Sequence, residues 1–402
     1  MDMNMKKYII YLFSIVIISC SQPSDYELVI NNVGLFNGEE DVGIVNIAIN
    51  SDTIAAISTE ALLSDSTIDG SGKYVIPGMV NAHVHVTTLD QVKEGYPYGI
   101  LANLNMHTGL EDRELRWKEI SRDSTGYPLF YGAGHAATVP GGHPNQFSPD
   151  METISDSVSI REWVDNRIAA GVDYIKIVRD NHPWFYNPSL PTLSYEQIGE
   201  LISYSRGKGH KAVVHIGKAV EIAEIAGYKP DGFVHIWSFK RESELTDQQW
   251  DAIRECECFI IPTALLSKGS QNSSEEETRD PDGRMREWAE QNFLSADETI
   301  EALRKLHEIG VMIVAGTDPP NNGINYSDDL FSELEMYQQA GMNNLEVLRT
   351  TTGNAAKAFD IEVGLLEIGS KANMVLLNGN PIDDLENLKK VEQVWKNGKT
   401  NQ

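Results

Sequence analysis

"VNAHVHVTT", residues 80–88, sets His83 and His85 among Val80, Val84 and Val86. Residues two apart on a strand point the same way, so both imidazoles share one face. Just ahead, "YVIPGM" (74–79) is an apolar run broken by Pro77 and Gly78. Such a pair is either a wet patch on an exposed face or the first part of a site that holds something. His-x-His alone does not choose between them.

Partners appear further along. After residue 77, short apolar runs alternate with helical patterns: "MVNAHVHV" (79–86), "GILANLNM" (99–106), "LFYGAGHA" (129–136), "DYIKIV" (173–178), "KAVVHI" (211–216), "GFVHIW" (232–237), "CFIIPTALL" (258–266) and "VMIVAGTD" (311–318). Between them, "SVSIREWVDNRIAAG" (157–171) and "SYEQIGELISYSRGKG" (194–209) read as helices, with Ser159 and Ser194 as N-caps and Gly171 and Gly207 as ends. Eight strands alternating with helices predict an α/β fold, a closed (β/α)8 TIM barrel over 77–363. Residues 26–76 and 364–402 instead carry strand alternation and turn residues such as Asn31, Gly34 and Gly70. These ends predict one small β-sandwich built from both termini, with the barrel inserted between them.

In such a barrel the chemistry sits at the C-terminal ends of the strands. His83 and His85 end the first strand, His215 the fifth, His235 the sixth and Asp318 the eighth; Lys176 lies within the fourth. A lysine inside an apolar strand is costly unless it is neutralised, paired or modified. Asp318 has a plainer reading as the N-cap of a following helix. The loop "GAGHAATVPGGHPNQF" (132–147) holds His135 and His143, read as substrate contacts; hydrogen bonding to backbone is the plainer alternative for His143. Tyr131 and Trp237 suit either the pocket wall or the core. The remaining histidines, His107, His182, His210 and His307, receive no role. "SKGSQNSSEEETRDPDG" (267–283) reads as a mobile loop or lid.

Taken together, this constellation resembles the amidohydrolase superfamily, specifically its imidazolonepropionase-like group. "VIPGMVNAHVHV" (75–86) is similar to the superfamily's first-strand signature. The segment from "TTGNAAKAFDIE" (351–362) through "VGLLEIGSKANMVLLNGNP" (363–381) resembles its closing helix and sandwich return, and "VWKNGK" (394–399) its final strand. The resemblance implies two divalent metal ions, Zn2+ or similar. His83, His85 and Asp318 would hold the first, His215 and His235 the second, and a carbamylated Lys176 would bridge both. It implies hydrolysis of an amide or cyclic-amide bond by a hydroxide held between the ions, with Asp318 as the catalytic proton shuttle. A carbamate would also turn a buried cation into an anion, removing the cost noted above. Related dipeptidases carry a tyrosine two residues after the fifth-strand histidine; here that place is Gly217, so a peptide-carboxylate pocket of that design is not implied. One-metal imidazolonepropionases lack the fourth-strand lysine, so Lys176 argues against that activity.

Formal charge is -26, which disfavours nucleic acid as a partner, since phosphate binding needs a basic surface. A small-molecule substrate is expected; oligomeric state is not readable. At the start of the chain, Lys6 and Lys7 precede an uncharged run from Tyr8 to Ser19 and then Cys20. That run is short for a spanning helix and suits a signal peptide over 1–20. Ile17-Ile18-Ser19-Cys20 resembles a bacterial lipobox, which implies export and lipid anchoring to a membrane through Cys20; an ordinary secretory signal is the alternative. Cys256 and Cys258 read as buried structural thiols, with no disulfide framework. Two other functions stay open: a lactonase or esterase on the same site, and a metal-binding lipoprotein without catalysis.

Overall fold

A computed structural model describes residues 25–181, 189–240, 243–269 and 282–401. The signal segment with Cys20, His182 and most of the 267–283 loop lie outside the described residues. Five strands open the fold: β1 (Tyr26–Phe36), β2 (Asp41–Asn50), β3 (Thr53–Ser58), β4 (Ser64–Asp69) and β5 (Tyr74–Pro77). Seven follow in the middle: β6 (Met79–Val84), β7 (Ile100–Asn105), β8 (Leu129–Gly132), β9 (Ile175–Val178), β10 (Ala212–His215), β11 (Gly232–Val234) and β12 (Phe259–Ile261). β13 (Met374–Leu377), β14 (Val391–Lys396) and β15 (Lys399–Thr400) close the chain.

Both chain ends meet in one sheet, as expected, because β5 pairs antiparallel with β13 from Tyr74↔Leu377 to Pro77↔Met374. The expected two stacked sheets are not seen. All eight strands belong to one hydrogen-bonded network, ordered β15-β14-β13-β5-β1-β2-β3 with β4 also on β1. The reason lies in β1, whose register on β2 shifts between Ile30 and Val33. Its first half pairs with β4 and its second half with β5, so one long strand serves both sides of a bend. Ile30, Val33, Leu35, Ile47, Ile54, Met374 and Trp395 fill the apolar interior of this unit.

The middle strands are parallel and buried on both faces, which their unbroken apolar runs require. They form two sheets, β6-β7-β8 and β9-β10-β11-β12. The expected closed eight-stranded sheet is corrected in one respect: residues 311–318 form no strand. A left-handed Asp318 (φ 66°) ends the extended backbone there. The segment still runs between its neighbours. Ile313 bridges Ile260, Ala82 donates its N–H to the Ala315 carbonyl (2.9 Å), and Asp318 donates to that of His83 (2.9 Å). Asn81 fixes the same seam: its side-chain N–H donates to Thr317 Oγ1 (2.7 Å) and its oxygen accepts from Thr317 N (3.1 Å). A Cβ on Gly316 would come within 2.7 Å of His83 N, so only glycine lets the segment lie this close to β6. The other seam is a single bridge, Ala137↔Ile177.

Ser159 and Ser194 cap their helices as expected, accepting from Glu162 N (3.3 Å) and Gln197 N (3.2 Å). The second helix ends at Gly207 as expected, and a left-handed turn follows at Gly209 (φ 80°). Cys256 and Cys258 are buried, as expected. A left-handed Glu257 (φ 58°) between helix end and strand start turns both side chains to one side, with the Cα atoms 5.1 Å apart. Among the described residues, no helix is long and apolar enough to cross a membrane.

Candidate metal centre

β6 delivers His83 and His85 to the rim, and the interrupted segment delivers Asp318 against them. His83 Nε2 and His85 Nε2 lie 3.2 Å apart, and each lies 3.2 Å from Asp318 Oδ1. The two imidazoles of the opening stretch therefore converge with Asp318 on one point, His83 buried and His85 partly exposed. His83 is fully buried, and burial first, then the charge of the neighbouring Lys176, hold it well below the usual imidazole range. A neutral ring presents a lone pair, and two such nitrogens around a carboxylate oxygen form the donor set a divalent ion takes. Asp318 is pushed up by burial, yet its hydrogen bond to His85 and the surrounding imidazole and lysine charges hold it below the ordinary carboxylate range. It stays an anion.

The other expected residues stand around this trio. The His235 ring lies 4.8 Å from that of His83 and 4.5 Å from that of His215. Lys176, in the middle of β9, is 2% exposed; burial pushes it down to about 7, with Asp318 pulling it back up. His143 lies beside His215, with ring centres 5.4 Å apart, and burial pushes it down to about 4. His135 differs from expectation. Its Nδ1 accepts from Arg167 NH1 (2.8 Å), inside a network in which Arg167 also meets Glu111 and Glu152. A nearly buried guanidinium needs several acceptors, and the imidazole supplies one of them. Trp237 is 3% exposed and packs edge-on to Trp250, and Tyr131 packs on the barrel core, so both take their core reading.

Four positions matter here that the sequence did not single out. Asp180 lies just beyond β9, and its carboxylate, His143 and His215 bring one ligand atom each within 4.8 Å of one another. His107 turns out to brace His85: its carbonyl lies 3.4 Å from His85 Nδ1, and its own ring accepts from Ala136 N (3.2 Å). Glu114 ties the second and third strand ends together, accepting from Asn105 Nδ2 and Gly134 N, both at 2.9 Å. Thr263 holds His235: its hydroxyl donates to the Pro262 carbonyl (2.7 Å) and lies 2.7 Å from His235 Nδ1. With its proton so used, the hydroxyl accepts from Nδ1–H, which leaves the His235 Nε2 lone pair for the site. Thr263 (φ 48°), His235 (φ 71°) and Asp318 (φ 66°) are all left-handed, costly for a β-branched residue and sustained only where the surroundings impose it. No local signal marks these positions except the short polar residue after a strand.

Thr263→Val keeps the branched shape and removes the acceptor. Long-range 1H–15N NMR of the metal-free protein is expected to show His235 protonated on Nδ1 in the natural chain. In the valine variant that tautomer should lose its dominance, and Thr263→Ser should restore it. An unchanged His235 spectrum in the valine variant would remove the role given to the hydroxyl.

Fold and rim together define a class: an α/β barrel-type protein, with a small sheet made from both chain ends, whose imidazole and carboxylate groups could hold divalent metal ions. The model of the amidohydrolase family matches residues 129–400. The chain belongs to the amidohydrolase family, and it is an enzyme, a hydrolase acting on carbon–nitrogen bonds. It is similar to a 5-methylthioadenosine/S-adenosylhomocysteine deaminase of Thermoanaerobacter pseudethanolicus (strain ATCC 33223 / 39E), with 22% identity covering 87% of this chain and 85% of that one. Among solved structures it is similar to a Xaa-Pro dipeptidase with bound methionine in the active site, at 18% identity and a TM-score of 0.76, covering 93% and 99% of the two chains. A putative prolidase from Bifidobacterium longum aligns at 21% identity and a TM-score of 0.75, covering 94% and 95%.

Proposed function

We propose that this chain hydrolyses an amide or cyclic-amide bond of a small molecule at a site built for two divalent ions, with Zn2+ the natural choice for this donor set. His83, His85 and Asp318 would hold the first ion and His215 and His235 the second, with Lys176, as its carbamate, a ligand to both. The observation that carries the reading is the 3.2 Å convergence of His83, His85 and Asp318 at a buried point. Bound there, divalent ions would supply Lewis acidity, lowering the pKa of a water and polarising the scissile carbonyl. The chain's own residues do the rest. Asp318 Oδ1 faces the two histidines, leaving Oδ2 to take the proton that the attacking water loses and to pass it to the leaving nitrogen. His107 and Thr263 keep the ligating nitrogens aimed. The same reading takes the two parallel sheets and their hydrogen-bonded seams as one closed (β/α)8 barrel. The names of the similar proteins, a deaminase and a dipeptidase, fit cleavage of a carbon–nitrogen bond.

Protein purified after growth with added zinc is expected to carry about two ions per chain by elemental analysis, and to turn over members of a dipeptide and N-acyl-amino-acid panel. One ion or none would count against the site. Turnover of lactones alone would move the reading to an esterase.

We further propose that the chain is exported and anchored by lipid on Cys20. The charge pattern supports it: Lys6 and Lys7, then an uncharged run from Tyr8 to Ser19, then a single cysteine. Cys20→Ala should move the protein from the membrane pellet to the soluble fraction; a variant that stays in the pellet would end this reading.

A further inference from the structure

Lys176 lies within β9 and Asp180 two residues beyond its end, but the family resemblance gives a role only to the lysine. We propose that Asp180 and His143 are ligands of the second ion, together with His215; the inference rests on the two-ion reading above and enlarges its ligand set.

The geometry comes from register. β9 and β10 run parallel with Val178 opposite His215, and Arg179 donates its N–H to the His215 carbonyl (3.1 Å). Asp180 is thereby set beside the histidine, and its backbone N–H is held by Thr192 Oγ1 (3.2 Å). His143 arrives from the third-strand loop. That loop is folded back by Gly142 N on the Val139 carbonyl (2.9 Å) and Ile154 N on that of Thr138 (2.9 Å). The three ligand atoms lie within 4.8 Å of one another, and Asp180 Oδ2 is 3.8 Å from His215 Nε2. Tetrahedral ligands about 2.1 Å from Zn2+ stand roughly 3.4 Å apart, so closing the separations by up to about 1.4 Å brings the three atoms to ligand spacing. The amide of Gln146 lies 2.7 Å from His143 Nδ1. Turned to accept that N–H, it leaves Nε2 for an ion.

Charge separates this role from the substrate contact expected of His143. Asp180 is 1% exposed, and two imidazoles with one carboxylate form a pocket that draws a cation and repels the carbonyl or carboxylate oxygen of a substrate. Two imidazoles with one carboxylate also match the donor set of the His83–His85–Asp318 position.

The test is a Co2+ titration of the metal-free full-length protein, with elemental analysis after desalting and visible absorption of the bound ion. The natural chain is expected to retain two ions. Asp180→Asn and His143→Gln are each expected to retain one, with the spectrum of one cobalt environment lost, and the double variant also one. Near-UV circular dichroism matching the natural chain identifies which variants have folded, and either single variant suffices. Two ions with an unchanged spectrum in a folded variant overturn the proposal, even if binding is weaker, because a residue that only orients His215 would do that. Fewer than two ions in the natural chain would instead overturn the two-ion reading itself.

Discussion

Asp318→Asn is expected to leave both ions in place and to lower kcat by about 10²–10⁴-fold, the usual range for losing general acid–base help. Asparagine keeps the size and an oxygen for the Oδ1 position, where Asn321 Nδ2 also donates (3.0 Å). What it loses is the ability to carry a proton on the second oxygen, 4.0 Å from His235 Nδ1 and turned toward the rest of the site. Because the proton moves in the transition state, the loss should fall on kcat with KM nearly unchanged. Metal content distinguishes the roles. If ion content falls with activity and added metal recovers both, Asp318 only ligates. A fully metallated asparagine variant with near-normal kcat would sink the proton-shuttle mechanism.

Lys176→Ala is expected to cost roughly 10³-fold or more in kcat/KM, since the charge stabilisation that bound ions supply is worth several kcal/mol and each 1.36 kcal/mol is tenfold. Position explains the choice. The side chain leaves β9 between Ile175 and Ile177, fully buried strand residues, with Asp318 the anion that favours its charged form. Burial pushes the amine down to about 7, so near neutral pH a substantial fraction carries a free lone pair. In the proposed carbamylation that lone pair would attack the carbon of CO2, forming an N–C bond as one C=O π pair moves to oxygen, and the nitrogen would release a proton to solvent. The product is an anion in the place of a cation. A short carboxylate such as acetate, added with CO2 excluded, should therefore restore part of the activity of the alanine variant. Full activity without the added acid would rule out the bridging role, and so would carboxylate that restores nothing in a folded variant.

Much of the rim was legible because its signals are local. A strand has period two, so "VNAHVHVTT" puts His83 and His85 on one face whatever surrounds them, and they do converge, with Asp318 between them. Apolar runs of four to eight residues mark buried parallel strands, and seven of the eight segments so marked form them. The eighth shows the limit. "VMIVAGTD" has the apolar content of a strand, but Gly316 and the left-handed Asp318 are set by close approach to β6, which no local pattern encodes. Likewise the alternation of the chain ends was readable, while their joining into one sheet depends on where β1 bends.

Sequence alone determined which elements alternate, which residues stand at strand ends, and that a lysine lies inside an apolar strand. Tertiary structure decided what those residues meet. Asp180 reaches His143 and His215 through the register of β9 on β10, and Thr263 fixes a ring on the neighbouring strand's end. His135 turned to Arg167 because a buried guanidinium on the helix Ile160–Ala169 needed an acceptor there. Periodicity and burial propensity are properties of a few consecutive residues. Hydrogen-bond partners and ligand sets are properties of distances between residues far apart in the chain, and only the packed fold fixes those distances.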